Sequence, residues 1–177
     1  MSTNGIFITA ELTGPVGAQV REIQRRFDPK LANEVPPHIT MLGSSGAGPI
    51  APDTPIQAIR DALASVGAEL PPLHLVFQPP YRFIGREIVI LPIDPHGPVR
   101  ALHERLKLCG LPYEPARYPF TPHCTLSMYP TLTVDSLRAL LAVRIEEPFI
   151  VDRLRVYHTR APQAPTHLLD IPLIGPA

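Results

Sequence analysis

Apolar and polar residues follow two different periods along this chain, and together they predict an alternation of strands and amphipathic helices. Alternating, β-branched or continuous apolar runs indicate strands, and apolar residues three and four apart indicate helices. The predicted strands cover 5–12, 38–42, 73–77, 86–93, 123–128, 149–158 and 168–174, and the predicted helices cover 15–28, about 54–66, 97–109 and about 134–141.

Turn-forming and capping residues mark the ends of these elements. Asp53 or Thr54 is a suitable cap for the second helix, and Thr133 or Asp135 for the last one. Gly110 ends the third helix. Gly- and Pro-rich segments at 43–52 and 111–122 predict loops, so most of the chain's 24 prolines separate ordered elements.

The order of elements repeats, which predicts two related halves. Each half runs strand, helix, short strand, helix, strand, and Gly14-Pro15-Val16 matches Gly97-Pro98-Val99 at the start of its first helix. We therefore expect one domain over 1–177, with lobes at about 1–84 and 85–177. The fold class is α+β: a bilobal, pseudo-twofold duplication with antiparallel sheets lining a central groove and helices on the outer faces.

The short third element of each half contains the same motif. Pro37-His38-Ile39-Thr40-Met41 returns 85 residues later as Pro122-His123-Cys124-Thr125-Leu126. Residue frequencies give only about 0.06 copies of Pro-His-x-Thr by chance, so two copies require an explanation. Each histidine alone is typical of a structural residue at a strand start, and the duplication in register favours a functional pair.

The repeated motif has the chemistry of a proton-transfer site. In a strand, residues i and i+2 share a face, so each histidine lies beside its threonine, and Ile39 or Cys124 faces the other way. The twofold would place the two polar pairs opposite each other across the groove. Near neutral pH one imidazole can accept a proton while another donates one, and hydroxyls can donate hydrogen bonds to phosphoryl oxygens.

The duplicated His-x-Thr motif resembles the two-histidine (2H) phosphoesterase superfamily, which includes 2′-5′ RNA ligase-like proteins and cyclic phosphodiesterases. The resemblance implies a bilobal α+β fold and opening of 2′,3′-cyclic phosphates to 2′-phosphates, with no cofactor. It also implies that His38 and His123 are the catalytic pair and that Thr40 and Thr125 hold the phosphate. An aromatic residue often precedes the second family motif, and here Phe120 has that position.

Further residues could contact a substrate. Arg82 and Arg117 are candidates for binding a phosphate, although surface arginines are usually solvated. Tyr118 and Tyr129 flank the second motif and could stack on a base. Weaker candidates of the same two kinds are Arg86, Arg160, Tyr81, Phe83 and Tyr113.

The remaining chemically active residues are assigned to structure or surface. His96 and His103 share one side of a helix, usually a solvated side, and His74, His158 and His167 lie in or beside strands. A metal site is disfavoured because threonine is a poor ligand and neither motif has a second histidine or a carboxylate. Cys124 should face away from His123, which disfavours a nucleophilic role.

Composition narrows the class of partner. The formal net charge is zero, which argues against contacts along an extended nucleic-acid backbone. It favours a cyclic nucleotide or an RNA terminus as the substrate. Two cysteines without metal spacing and no secretory or membrane segment predict a cytoplasmic protein, and we expect a monomer. The alternatives are 2′-5′ RNA ligase activity and a non-catalytic module that binds nucleotides or RNA ends.

Overall fold

The computed structural model describes residues 4–129 and 132–176. Its five helices are α1 (Gly14–Phe27), α2 (Pro29–Glu34), α3 (Ile56–Glu69), α4 (Gly97–Lys107) and α5 (Val134–Leu141). Its strands are β1 (Asn4–Glu11), β2 (His38–Leu42), β3 (Leu73–Leu75), β4 (Tyr81–Arg82), β5 (Val89–Pro92), β6 (His123–Ser127), β7 (Phe149–Val151), β8 (Arg153–Arg160) and β9 (Thr166–Pro172). Within this part of the chain, the helices are too short or too polar to span a bilayer.

The two motif strands are neighbours in the middle of one sheet. Seven antiparallel strands follow the order β4-β5-β6-β2-β1-β8-β9, and β3 pairs with β7 in a small second sheet. Around the β2–β6 contact the order is symmetric, because β1 flanks β2 and β5 flanks β6. Strands β8 and β9, from the second half of the sequence, extend the sheet beyond β1.

Helices α1 and α4 pack against the face of the sheet opposite the motif polar residues. Ile39 and Cys124, the middle residues of the two motifs, are fully buried in the core. Helix α1 contacts β6 and α4 contacts β2, so each helix reaches the motif strand of the other half. The Gln24 amide of α1 also donates a 2.8 Å hydrogen bond to the backbone oxygen of Thr125. The α+β class with antiparallel pairing is therefore confirmed.

Three details of the predicted elements are wrong. The run 149–158 is not one strand: β7 joins the small sheet and β8 the large one, and the Asp152 carbonyl between them accepts from the Leu173 amide at 2.8 Å. Helix α2 and strand β4 were not predicted, since both are too short to show a period. The cap of α3 is Pro55, without a side-chain hydrogen bond, instead of Asp53 or Thr54.

Asp28 joins the two halves of the sequence beneath the site. Its carboxylate is buried and caps α2 by accepting from the Leu31 amide at 3.0 Å. The other carboxylate oxygen accepts from the amides of Met128 (2.8 Å) and Tyr129 (3.1 Å), and from the Ser127 hydroxyl at 3.4 Å. One side chain therefore connects the start of α2 to the end of the second motif strand.

His103 lies in the core, and the solvated position predicted for it is wrong. Only 1% of the residue is exposed, and its Nδ1 donates to the Met41 carbonyl at 2.9 Å. Its ring stacks on Phe120 with a centroid distance of 3.8 Å. The helical pattern missed this position because α4 is covered on that side by the loop carrying Phe120. Burial lowers the pKa of His103 from its ordinary value of 6.5.

This lowered pKa predicts acid-dependent stability. The unfolded chain takes up a proton on His103 near pH 6.5 and the folded protein only at lower pH, so stability present above 6.5 is lost as the pH falls. We expect His103→Gln to be less stable at pH 7 but to lose less stability between pH 7 and 5 than the wild type. Urea unfolding at several pH values measures this, and exposed His74→Gln should keep the wild-type slope.

Candidate active site

Each motif histidine is held by its own chain in the same way. His38 and His123 are the first residues of β2 and β6, and both are partly buried. The Nδ1 atom of His38 lies 2.8 Å from the Pro36 oxygen, and that of His123 lies 2.6 Å from the Thr121 oxygen. Because a carbonyl only accepts, Nδ1 carries the hydrogen in both rings. Nε2 is therefore the nitrogen that can exchange a proton with a substrate.

The register between the motif strands brings both polar pairs onto one face. Ile39 pairs with Cys124, and in an antiparallel ladder this places His38 beside Thr125 and Thr40 beside His123. The four side chains alternate with the buried residues Ile39 and Cys124, so they share the face away from the helices. The pairs lie side by side on adjacent strands instead of facing each other across a groove, because β2 and β6 pair directly.

The environment of both rings favours their neutral forms. Burial lowers the pKa of His38, while the hydrogen bond to Pro36 and the negative charge of Glu11 act in the opposite direction. Burial also lowers the pKa of His123, where the Thr121 hydrogen bond opposes the effect and the positive charge of His38 adds to it. The two rings are thus close enough that a proton on one disfavours a proton on the other.

A cavity of about 290 Å³ opens beside the first motif. Its walls come from β1, β2, β8 and the end of α2, and they include Phe7, Thr9, Glu11, His38, Thr40, Glu34, Tyr157 and Thr159. Glu11 and Arg155 form an ion pair next to it, and Arg155 Nε also lies 3.5 Å from Asp170 Oδ1. Neither Glu11 nor Arg155 was predicted from the sequence, because the two residues are 144 positions apart. The only signal was that Glu11 is a carboxylate at the end of an apolar strand.

The second motif has a different, apolar neighbourhood. Phe83, after β4, meets the His123 ring edge to face at 5.4 Å between centroids. Tyr81 in turn contacts Phe83 at 5.7 Å. Phe83 was one of the weaker aromatic candidates in the sequence, and the structure brings it next to a motif histidine. The β4–β5 hairpin is therefore the part of the fold nearest to His123 on this side.

The other predicted substrate contacts lie at varying distances from the motifs. The Tyr129 hydroxyl donates at 2.6 Å to Glu34, at the cavity wall, and Lys30 Nζ lies 3.9 Å from its ring centroid. Arg82 is exposed and bonded to Glu87 at 3.0 Å. The side chains of Arg117 and Tyr118 are exposed on the 111–122 loop, whose backbone bonds to Ser44.

Phe120 and Cys124 both belong to the core. Phe120, the aromatic residue before the second motif, is 8% exposed and has one face stacked on His103, so its ring packs in the core. Burial raises the pKa of the Cys124 thiol to about 12, which makes it a poor nucleophile. Across the described part of the chain, no three His, Cys, Asp or Glu side chains cluster closely enough to hold a metal ion.

Comparison with known families identifies the class of protein. The sequence profile of the 2′-5′ RNA ligase superfamily matches residues 13–163, which include both His-x-Thr motifs. The chain belongs to this superfamily. The resemblance to 2H phosphoesterases seen in the motifs is thereby confirmed. A search of curated protein sequences finds no match to the chain.

Several solved structures share the fold along nearly the whole chain. The structure of TT0787 of Thermus thermophilus aligns with a TM-score of 0.66 at 18% sequence identity, and the alignment covers 99% of each chain. Escherichia coli LigT complexed with phosphate has a TM-score of 0.59 at 14% identity, covering 97% of this chain and 98% of LigT. Other LigT crystals contain ATP, 3′-AMP or NADP+. At 14% and 18% sequence identity, these similarities show that the chains share a fold.

Proposed function

We propose that this protein is a metal-independent phosphodiesterase that opens 2′,3′-cyclic phosphates of nucleotides or RNA ends and gives 2′-phosphates. His38 and His123 act as general acid and base, and Thr40 and Thr125 bind the phosphate. The observation that carries the proposal is the identical fixing of two imidazoles on adjacent strands, each with Nδ1 bonded to a carbonyl and Nε2 left for proton transfer.

The chemistry balances with these four side chains alone. One neutral Nε2 takes a proton from water as the water oxygen attacks phosphorus, and the P–O3′ bond breaks. The other, protonated Nε2 gives its proton to the departing 3′ oxygen, which leaves a 2′-phosphate. The threonine hydroxyls donate hydrogen bonds to the non-bridging oxygens, where negative charge grows. Proton exchange with solvent then restores the starting protonation of the two rings.

Small substrates fit the available observations best. A chain with zero net charge lacks the excess of cations that a long nucleic-acid contact needs. The 290 Å³ cavity lies directly beside His38 and Thr40, and LigT, which shares the fold, has been crystallised with nucleotides. We therefore propose a cyclic mononucleotide or a short RNA end as substrate.

Both cysteines are free, which supports the cytoplasmic location predicted from the sequence.

RNA end joining is the second candidate. The profile that matches the chain is that of the 2′-5′ RNA ligase superfamily, and in joining, a 5′-hydroxyl would take the place of the attacking water at a 2′,3′-cyclic end. The same base would accept the hydroxyl proton and the same acid would protonate the departing 3′ oxygen, so the products decide between the two activities.

The direct test is incubation of the purified protein with a 2′,3′-cyclic mononucleotide and with an RNA ending in a cyclic phosphate. We expect a 2′-phosphate product, identified by chromatography against 2′- and 3′-phosphate standards, and unchanged turnover in EDTA. Loss of activity in EDTA would contradict the metal-independent mechanism. Joined RNA would indicate ligase activity, and tight binding without product would indicate a binding module.

A further inference from the structure

The pseudo-symmetry of the site is broken by the residues that pair with the two histidines. On one side, β1 places Glu11 directly opposite His38. At the equivalent position on the other side, β5 places Pro92 opposite His123. The two histidines have the same motif and the same Nδ1 hydrogen bond, yet only one has a carboxylate as its cross-strand neighbour. A difference in this single position gives the two rings different electrostatic environments.

We propose that Glu11 is a positioning residue that keeps the proton on His38, making His38 the general acid and His123 the general base. The inference rests on the proposed function and deepens it. Glu11 itself touches neither the water nor the phosphate in this scheme and acts through the imidazole beside it. The 2′,3′-cyclic phosphate would then bind with its 3′ oxygen towards His38 and the attacking water towards His123.

The charges around His38 come from four elements. Glu11 on β1 has a side chain only 16% exposed, and it is paired with Arg155 on β8. The guanidinium of Arg155 also lies near Asp170 on β9, whose carboxylate lies 2.9 Å from His167 Nε2. Glu34 of α2 lines the same cavity and lies 4.0 Å from the exposed Lys30 ammonium.

Glu11 is the group among these that favours a proton on His38. It is the direct cross-strand neighbour of His38, and its negative charge opposes the desolvation that lowers the pKa of this ring. The side chains of Lys30 and Glu34 are exposed, so solvent screens their charges.

The surroundings of His123 favour a neutral ring. Its cross-strand neighbour is Pro92, and its ring meets Phe83 edge to face. The next pair on the same face of these strands is Thr125 with the buried Ile90. Apolar groups of this kind disfavour a charged imidazole by desolvation. A proton on His38 disfavours one on His123 further, which is consistent with the effect of His38 on the His123 pKa.

The proton therefore follows one direction through the reaction. His123 Nε2 accepts the proton of water while the P–O3′ bond breaks, and His38 Nε2 donates its proton to the 3′ oxygen. Activity as a function of pH depends on two macroscopic pKa values that belong to the histidine pair. The rate falls at alkaline pH when His38 loses its proton, and the position of this alkaline limb depends on the charge of Glu11.

The test is Glu11→Gln, which keeps the shape of the side chain and removes its charge. We expect the alkaline limb of kcat/KM to move to lower pH, so that the rate at alkaline pH falls on the order of tenfold while the rate near the optimum changes little. Glu11→Asp should restore the limb. The control Glu22→Gln removes an exposed carboxylate of α1, outside the cavity, and should keep the wild-type limb. An unchanged limb in Glu11→Gln, with the protein folded, would overturn the proposal.

A second measurement separates this proposal from the function on which it rests. NMR titration of the two histidine Cε1 protons, assigned with His38→Ala and His123→Ala, follows each ring without any substrate. We expect His38 to titrate at higher pH than His123, and the His38 midpoint to fall in Glu11→Gln. The opposite order, or no change at His38, contradicts the role of Glu11 even if the enzyme is active. A protein that titrates as expected but turns over no cyclic phosphate contradicts the proposed function alone.

Discussion

Replacing His38 or His123 with alanine is expected to lower kcat for a 2′,3′-cyclic nucleotide by about 10²–10⁴-fold. Each substitution removes one of the two nitrogens that transfer protons in the same step. The remaining histidine cannot take over, because it lies on the adjacent strand and has its own role. Initial rates with saturating substrate, measured near the pH optimum, are the appropriate readout.

Two controls make this result specific to the site. His74→Ala removes an exposed histidine outside the motifs and should leave kcat unchanged. The double variant should be scarcely less active than either single one, because groups that act in one step are not additive. Circular dichroism should show that both single variants are folded. Full activity in either folded variant would rule out the two-histidine mechanism.

Asp28→Ala is expected to cause a large loss of stability. Hydrogen bonds to a charged group contribute about 1.5–3 kcal/mol each, and this carboxylate accepts from three backbone amides and one hydroxyl. Because these contributions are not additive, we expect a decrease of about 3–5 kcal/mol in the free energy of unfolding. Denaturation in urea, with the slope checked for two-state behaviour, measures the change.

Asp28→Asn and Asp53→Ala are the matched comparisons. Asparagine can accept at one oxygen only, so it should recover part of the lost stability. Asp53 is exposed and was expected from the sequence to cap α3, but the structure gives it no capping contact, so its removal should change stability by less than about 0.5 kcal/mol. A loss at Asp28 as small as that at Asp53 would contradict the connecting role of the Asp28 carboxylate.

The elements nearest the motifs were the ones that the sequence predicted best. Strand β2 begins and ends at the predicted residues, and β6 ends one residue early, because strand alternation and the flanking prolines act locally. Thr133, one of the two residues predicted to cap α5, does cap this helix: its side chain accepts a hydrogen bond from the Ser136 amide three residues ahead. Such features depend on residues that are close in the sequence.

What the sequence could not reveal depends on pairing between distant strands. The direct pairing of β2 with β6 is not specified by any local sequence pattern. This pairing places the two histidines side by side instead of facing each other across a groove. The Glu11–Arg155 pair arises only when β8 pairs with β1. His103 is buried by a loop that the helical period of α4 does not detect. Each of these is a tertiary contact that overrides a local preference.

The strand order also determines when the sheet can form during synthesis. Strand β1 is translated long before β8, its neighbour on the side away from β2, which begins at Arg153. On the ribosome, this edge of β1 therefore stays unpaired until β8 has emerged. Unpaired edges are the surfaces through which partly folded chains aggregate, and pairing over such sequence separations is slow. Strand β8 thus protects β1, and it brings Arg155 to Glu11 in the same step.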